Sequence, residues 1–404
     1  MDLLLLTKNY PYGTGEAFIE NEIKVLASRF DSVTIVACEV PSSVSSKRNV
    51  PDNVITYRIN GRSKILDIVS GIFKSLFRND EYKEEFKRCD SLVKRIFLSY
   101  FEEKSRRIFS SIKASGFLTN LKKDQLIIYS YWLFTTARVG TLLDDMYGCR
   151  GMVSRAHRYD LYENVNKLNY LPYRELFLKR YNAILPCSDN GTMHLRNMYP
   201  KYAEKVQTAN LGTLDHGEGT ASNDGVFRIV SCSRLEPVKR VDRIIDALKL
   251  LEKTGISIEW THIGTGSQEK KIFQLAKERL HNTKWVLAGN MRNQDVMDYY
   301  AHRPVDLFIN TSSSEGLPVS IMEAMSFGIP CIGTNVGGTS EIILDGITGK
   351  LIPEDFDTEE LAEQIHIFIN SDVADMRKNC RSYWLEHFEA SQNYDKLCQK
   401  ILSL

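Results

Sequence analysis

The 8 cysteines (38, 89, 149, 187, 232, 331, 380 and 398) include no Cys-x-x-Cys pair. Their scatter leaves out the spacing that a structural zinc site or a dense disulfide framework needs. Free, buried thiols in a reducing cytoplasm are the expectation. Net charge is nearly absent as well: 52 basic residues against 51 acidic ones leave +1. Nothing in that balance calls for a nucleic acid partner. Long hydrophobic runs are missing, and the opening "MDLLLLTKNYPYG" has no basic leader. It reads as a first β-strand, not as a signal peptide or a membrane span. No short-period repeat is visible. No cluster of cysteine, histidine and carboxylate requires a metal; Asp144–Asp145, the nearest acidic pair, reads as helix surface.

What is present is an ordinary globular composition: 404 residues, 43% hydrophobic and 25% charged, enough for two or three domains. Two halves share one rhythm of apolar strand, turn and amphipathic helix. "DLLLLT", "SVTIVACEV", "QLIIYSYW", "GMVSRAH" and "NAILPCS" are the strand-like runs of the first half, with the helical "EAFIENEIKVLASRF" among them. "FRIVSCSRL", "SIEWTHIGTG", "TKWVLAGN", "VDLFINTSS" and "IPCIGTNVG" are those of the second, alternating with helices such as "RVDRIIDALKLLEKTG". Strands separated by helix-length segments indicate parallel βαβ units and doubly wound α/β sheets. The Gly- and Asp-rich "LGTLDHGEGTASNDG" separates the halves. The expected domains are 1–212, 213–385 and a closing helical run over 386–404.

From about 61 to 123 the first half turns helical and basic, as in "SKILDIVSGIFKSLFRN" and "SLVKRIFLSYFEEKSRRIFSSIK". This segment is either an inserted helical subdomain with a solvated charged face or a patch that touches an anionic membrane.

The chemistry-bearing stretch is "SSSEGLPVSIME", which holds Glu315 and Glu323 on either side of a Gly–Leu–Pro break. Pro318 fits the first helical position, where its missing N–H costs nothing. The free N–H groups and dipole of the helix start there can receive an anion. Glu315 then lies just outside and Glu323 more than one turn inside, so a sugar and a ribose on the two sides of a diphosphate match the spacing. One capping and one exposed glutamate match it equally. Arg234 and Lys239 in "SCSRLEPVKRVDRIIDAL" stand at a strand end and just before a helix. They either neutralise a diphosphate or form a solvated charge pair. Gly264 and Gly266 sit in a strand-to-helix turn that lacks the full dinucleotide fingerprint. Gly13 and Gly15 occupy a first βα turn, where backbone can approach a ligand closely. Since ligands of open α/β sheets bind at strand C-terminal ends, loops of both halves are expected to face one cleft.

These motifs carry a resemblance. "SRLEPVK", "HIGTGSQEKKI", "VLAGNM", "DLFINTSSSEGLPVSIMEAMSFGIPCIGTNVGGTSEII" and "DGITGKLI", in unbroken order from about Val226 to Pro353, resemble family 4 nucleotide-sugar glycosyltransferases. Those are retaining enzymes of the two-domain GT-B fold. The first half resembles them more loosely, through "GTGEAFIENEI" and "SRAHRYDLY", with wording similar to bacterial enzymes of exopolysaccharide, O-antigen or capsule synthesis.

The resemblance implies roles. Glu315 matches the residue that contacts donor sugar hydroxyls, Glu323 the one that binds ribose, and Arg234 with Lys239 the pair that grips the diphosphate. Gly316, Leu317, Val319 and Ser320 would offer backbone to sugar or phosphate, with Gly264, Gly266, Asn290 and Met291 also on the donor side. Gly13, Thr14 and Gly15 would form the loop beneath the donor phosphates. His157 matches the histidine near the anomeric carbon, with Asp160 as its acidic companion. Arg158 stands where the family often has glycine, which makes it, with Asp160, an acceptor-side candidate. "NVGGTSEI" is read as a turn and Glu341 as structural. The implied partners are a UDP- or GDP-sugar and a glycan acceptor of the polyprenyl-diphosphate-linked kind, with no metal or other cofactor, at the inner face of the cell membrane. The closing helix would cross back to the first domain. A nucleotide-sugar epimerase or hydrolase and a non-catalytic nucleotide-sugar-binding partner remain open as alternatives.

Overall fold

A computed structural model describes residues 1–13 and 15–404. The chain divides into two compact units, Met1–Ala209 with Tyr394–Leu404, and Asn210–Asn393. The change of unit at 209/210 comes slightly before the 212/213 division expected from composition. Residues 386–393, expected in the closing helix alone, belong to the second unit.

The first unit is a parallel sheet of β1 (Asp2–Thr7), β2 (Ser32–Val40), β3 (Val54–Asn60), β4 (Leu126–Ser130), β5 (Gly151–Ala156) and β6 (Ala183–Pro186) in the order β3-β2-β1-β4-β5-β6. Leu3, Leu4, Leu5 and Leu6 are all buried. Successive side chains leave a strand on opposite faces, so such a run requires both faces of the sheet to be covered. Register runs without slip from Asp2 opposite Ser32 to Thr7 opposite Ala37. The order reverses between β1 and β4, the place where open α/β sheets receive ligands.

Between β3 and β4 lie the helices Lys64–Lys74, Asp80–Arg88 and Leu92–Ser115. The last is delimited by Ser91, whose side chain accepts from Lys94 N–H, and by Gly116 at φ 72°. Among the described residues no helix is long and apolar enough to cross a membrane. From Tyr394 onward the last helix (Ala390–Leu402) belongs to the first unit. Asp395 pairs with Arg29, and Lys400 Nζ donates to the Thr208 carbonyl at 2.6 Å.

The second unit repeats the plan with β7 (Phe227–Cys232), β8 (Ile258–Ile263), β9 (Lys284–Leu287), β10 (Leu307–Asn310), β11 (Cys331–Thr334) and β12 (Gly349–Ile352). Their order is β12-β11-β10-β7-β8-β9, so this sheet reverses between β7 and β10. Its core gathers Ile229, Trp260, Leu307 and Ile332 with Ile245 and Leu248 of the helix Val241–Leu251. All eight cysteines are free thiols.

Candidate functional site

In the second unit the candidate residues cluster at the carboxyl ends of β7, β8, β9 and β10. The loop after β10 carries Glu315, buried to 9% exposure. Its Oε1 accepts from Lys239 Nζ at 2.6 Å and from Asn310 Nδ2 at 3.2 Å. The acid expected to meet a sugar and the cation expected to meet a phosphate are therefore paired with each other across the switch point. Arg234 is exposed, on the loop after β7. Arg240, which sequence reasoning passed over, ties the two loops: its guanidinium donates to the carbonyls of Thr311 at 2.8 Å and Ser312 at 3.3 Å.

Pro318 does not begin the helix. It precedes it as N-cap, with φ −73° and ψ 100°, and the helix runs Val319–Ser326. The Pro318 carbonyl accepts from Ile321 N–H at 3.1 Å and Met322 N–H at 3.4 Å, the part an N-cap plays. The displacement leaves the N–H groups of Val319 and Ser320 as the first two of the helix, where no intrahelical partner exists. Leu317 is buried and Gly316 half-buried. The Gly316 carbonyl accepts from Gly338 N–H at 2.7 Å. Gly337, at φ +56°, lies so close beneath that a Cβ there would stand 2.1 Å from the Glu315 carbonyl. The "NVGG" turn thus also supports the Glu315 backbone.

Glu323, just over one turn inside the helix, accepts from Asn293 Nδ2 at 2.6 Å. Burial pushes its carboxyl up to about 7, against the lowering hydrogen bond from Asn293. The folded state holds that proton more tightly than the unfolded chain does. Its contribution to stability is therefore complete below about pH 4.5, the ordinary glutamate value, and is lost as pH rises toward 7. Urea unfolding across this range should show the wild type losing stability relative to Glu323→Gln; parallel curves would refute the shift.

Gly264 and Gly266 serve backbone packing. A Cβ on Gly264, at φ +134°, would stand 1.9 Å from the Ser233 carbonyl, and one on Gly266 2.4 Å from that of Leu235. Those residues flank Arg234, and Leu235 N–H donates to the Thr265 carbonyl at 2.9 Å. The two glycines let one loop lie on the other, which accounts for them without a donor contact. Gly264 N–H also donates to the Gly289 carbonyl at 2.8 Å, bringing up the loop of exposed Asn290 and half-buried Met291.

In the first unit the candidates stand at the ends of β1, β4 and β5. His157, 8% exposed, follows β5. Its ring stacks on Tyr131 at 5.1 Å and Phe18 at 5.7 Å and lies tilted against Trp132 at 4.7 Å. Burial, with the nearby Arg155 cation, holds the imidazole pKa down at about 3, so the ring is neutral. Neither ring nitrogen has a hydrogen-bond partner among the described residues. Arg155 itself is fully buried against Glu22 at 3.1 Å.

Asp160 is also fully buried. Its carboxylate accepts from His157 N–H at 2.5 Å and Leu133 N–H at 2.6 Å. Burial raises its carboxyl to about 7, opposed by those N–H groups and Arg174. The acid read as the companion of His157 and an acceptor-side candidate is bonded to backbone of the turns after β4 and β5. Arg158 is half-buried beside it.

Gly13 adopts φ +70° and Gly15 an ordinary φ, while Thr14 lies outside the described residues. Arg48 donates to the Gly13 carbonyl at 2.8 Å and the Gly15 carbonyl at 2.5 Å. Glu16 was missed by the sequence reading although it follows Gly15 directly. One carboxylate oxygen accepts from Lys8 N–H at 3.0 Å and Trp132 Nε1 at 2.6 Å, the other from the N–H groups of Asn9 and Tyr10, both at 2.6 Å. It joins the end of β1 to the ring that packs on His157.

Residues 216–386 match the model for Glycosyl transferases group 1. That segment is similar to the group 1 glycosyl transferases. It is 23% identical over 230 residues to the UDP-N-acetylglucosamine–peptide N-acetylglucosaminyltransferase GtfA subunit of Streptococcus pneumoniae, covering 56% of this chain and 43% of that protein. It is 27% identical over 159 residues to the amylovoran biosynthesis glycosyltransferase AmsK of Erwinia amylovora, 38% of this chain and 39% of the relative. The chain thus spans about half or less of the length of these curated relatives. Its fold is similar to that of Anabaena Alr3699/HepE in complex with UDP-glucose, with a TM-score of 0.67, 15% identity and 100% of both chains covered. The matched segment lies within the second of two Rossmann-like units, the GT-B architecture.

Proposed function

We propose that the chain is a retaining family 4 glycosyltransferase that moves a sugar from a nucleoside diphosphate to a glycan acceptor in bacterial surface-polysaccharide synthesis. The observation that carries this reading is the helix start at Val319 in the matched domain, with Lys239-paired Glu315 before it and Glu323 inside it. Breaking the glycosyl–phosphate bond leaves negative charge on the departing diphosphate. Fixed donors and cations aimed at such charge are the strongest stabilisation a site of this kind offers. Arg234, Lys239 and the N–H groups of Val319 and Ser320 are assigned that part, in place of a divalent metal. Glu315 takes the sugar hydroxyls and Glu323 the ribose. Gly316 and Leu317 add backbone contacts, with Asn290 and Met291 nearby on the donor side.

His157, neutral and with unpartnered nitrogens, is suited to hydrogen bonding with a sugar rather than to delivering a proton at neutral pH. Glu16, Trp132 and Asp160 position it. Retention follows the front-face course, in which the acceptor attacks on the side the diphosphate leaves and that phosphate takes the acceptor proton. The AmsK relative favours a polysaccharide acceptor, here assigned to the lipid-linked kind at the inner membrane face.

The experiment is a thermal-shift screen of UDP- and GDP-sugars, UDP-sugars first because HepE is seen with one. A transfer assay with the best donor, run in chelator, follows. A donor at about 100 times its Kd adds about 2.7 kcal/mol of stability. The α-linked donor should give an α-linked product. Donor consumption without acceptor would replace this reading with an epimerase or hydrolase, and a shift without turnover with a binding protein.

A further inference from the structure

The helix Lys64–Lys74 and the turn Ser75–Phe77 after it are arranged inside out. An ordinary surface helix buries its apolar stripe and presents its polar side chains to water. Here the buried side is small and polar. A Cβ on Gly71 would stand 2.3 Å from the Ser99 carbonyl of the neighbouring helix Leu92–Ser115. Ser70 and Lys74 both bond Glu103, at 2.8 and 2.7 Å, and Asp67 accepts from Arg107 at 3.3 Å. The side away from the protein carries Ile65, Val69, Ile72, Phe73, Leu76 and Phe77, spaced by three and four residues. Phe73 is 78% exposed, and Leu76 and Phe77 are 82% exposed. Single exposed apolar residues are ordinary, but a contiguous protruding stripe of this size marks an interaction surface.

Residues 61–78 contain Arg62, Lys64, Lys74 and Arg78 against a single acid, Asp67, which is buried. Lys74 and Arg78 are both paired with Glu103, which leaves Arg62 and Lys64 as the cations turned to solvent at the start of the stripe. Arg62 and Lys64 lie together just before and at the start of the helix, both exposed. Lys64 and Ile68 also wall a groove of about 590 Å³ with Val93, Phe97 and Tyr100, so the apolar surface continues past the helix.

We infer that this face lies in the headgroup boundary of a bilayer containing anionic lipid. The phenylalanines and leucine enter the acyl edge, and Arg62 and Lys64 meet phosphate. An apolar face rimmed by cations is what an interfacial helix presents to such a surface, where its stripe is buried ~5–10 Å deep. The most exposed side chains of the stripe, Phe73, Leu76 and Phe77, project outward from the helix and the turn after it, with Arg62 and Lys64 at the opposite end. The inference is independent of the transfer reaction.

The test is co-sedimentation of the full chain with vesicles of phosphatidylcholine alone and of phosphatidylcholine with phosphatidylglycerol. The wild type should pellet with the anionic vesicles and weakly with the neutral ones. A Phe73→Ser/Leu76→Ser/Phe77→Ser variant should bind about tenfold more weakly or worse, with an unchanged melting temperature because its altered side chains are already in water. Arg62→Glu with Lys64→Glu should abolish the preference for anionic vesicles. A wild type that stays in the supernatant with both vesicles, or a triple variant that pellets as well as the wild type, would overturn the inference. So would self-association that the triple variant removes without any vesicle binding, which would assign the stripe to a second copy of the chain.

Discussion

Lys239→Ala is expected to lower turnover about 100- to 1000-fold, the effect of removing one fixed donor aimed at developing charge. The same change strips Glu315 of its ion pair at 2.6 Å and leaves the carboxylate, 9% exposed, with the hydrogen bond from Asn310. An uncompensated acid at that depth costs stability in its own right. The two losses separate in a double variant. Lys239→Met with Glu315→Gln removes both charges, so it should regain much of the stability and none of the turnover. Steady-state kinetics and urea unfolding on the wild type and the two variants decide the matter. Turnover within about threefold of the wild type in Lys239→Ala would remove lysine from the reaction.

Gly264→Ala is expected to cost about 3 kcal/mol or more, among the larger effects a single methyl group can have. The added carbon would meet the Ser233 carbonyl at 1.9 Å, at a φ of +134° that side chains rarely adopt. Relief requires the loop after β8 to lift from the loop after β7, carrying Arg234 with it. A loss of donor affinity should therefore accompany the fall in melting temperature. Gly255→Ala is the control: it also has a positive φ, of +71°, but nothing within 4 Å of its Cβ. Equal losses at both positions would show that backbone conformation, and not the contact between loops, sets the cost.

The inner strands were legible because they are buried on both faces. "DLLLLT" and "SVTIVACEV" coincide with β1 and β2 as read. β3 and β12 were not anticipated. Both are edge strands, and an edge strand with one open side mixes polar residues into its run, as Arg58 and Asn60 do in β3. The helix after β10 was visible from its Gly–Leu–Pro break, but Pro318 was placed one position too deep, because residue preference does not separate N-cap from first turn. Glu315, Lys239 and Glu323 were named as candidates, while the pairing of the first two was not foreseen. Asp160 was named as the acidic companion of His157, but the backbone N–H groups it satisfies, those of His157 and Leu133, leave no mark in the local sequence. Glu16 could have been flagged by its place after two glycines. Its bond to Trp132 joins residues 116 positions apart, and no local pattern reports that.

One guanidinium, that of Arg48, holds the carbonyls on both sides of position 14 and pairs with Glu20 at 2.8 Å. The Gly13 and Gly15 carbonyls are thereby fastened to one side chain when the chain folds. A ligand resting against Gly13 and Gly15 would meet backbone already held, and part of the entropy loss of association would be avoided. Damage to Arg48 would accordingly surface as looser holding of that ligand, with the speed of the bound complex left nearly as it was.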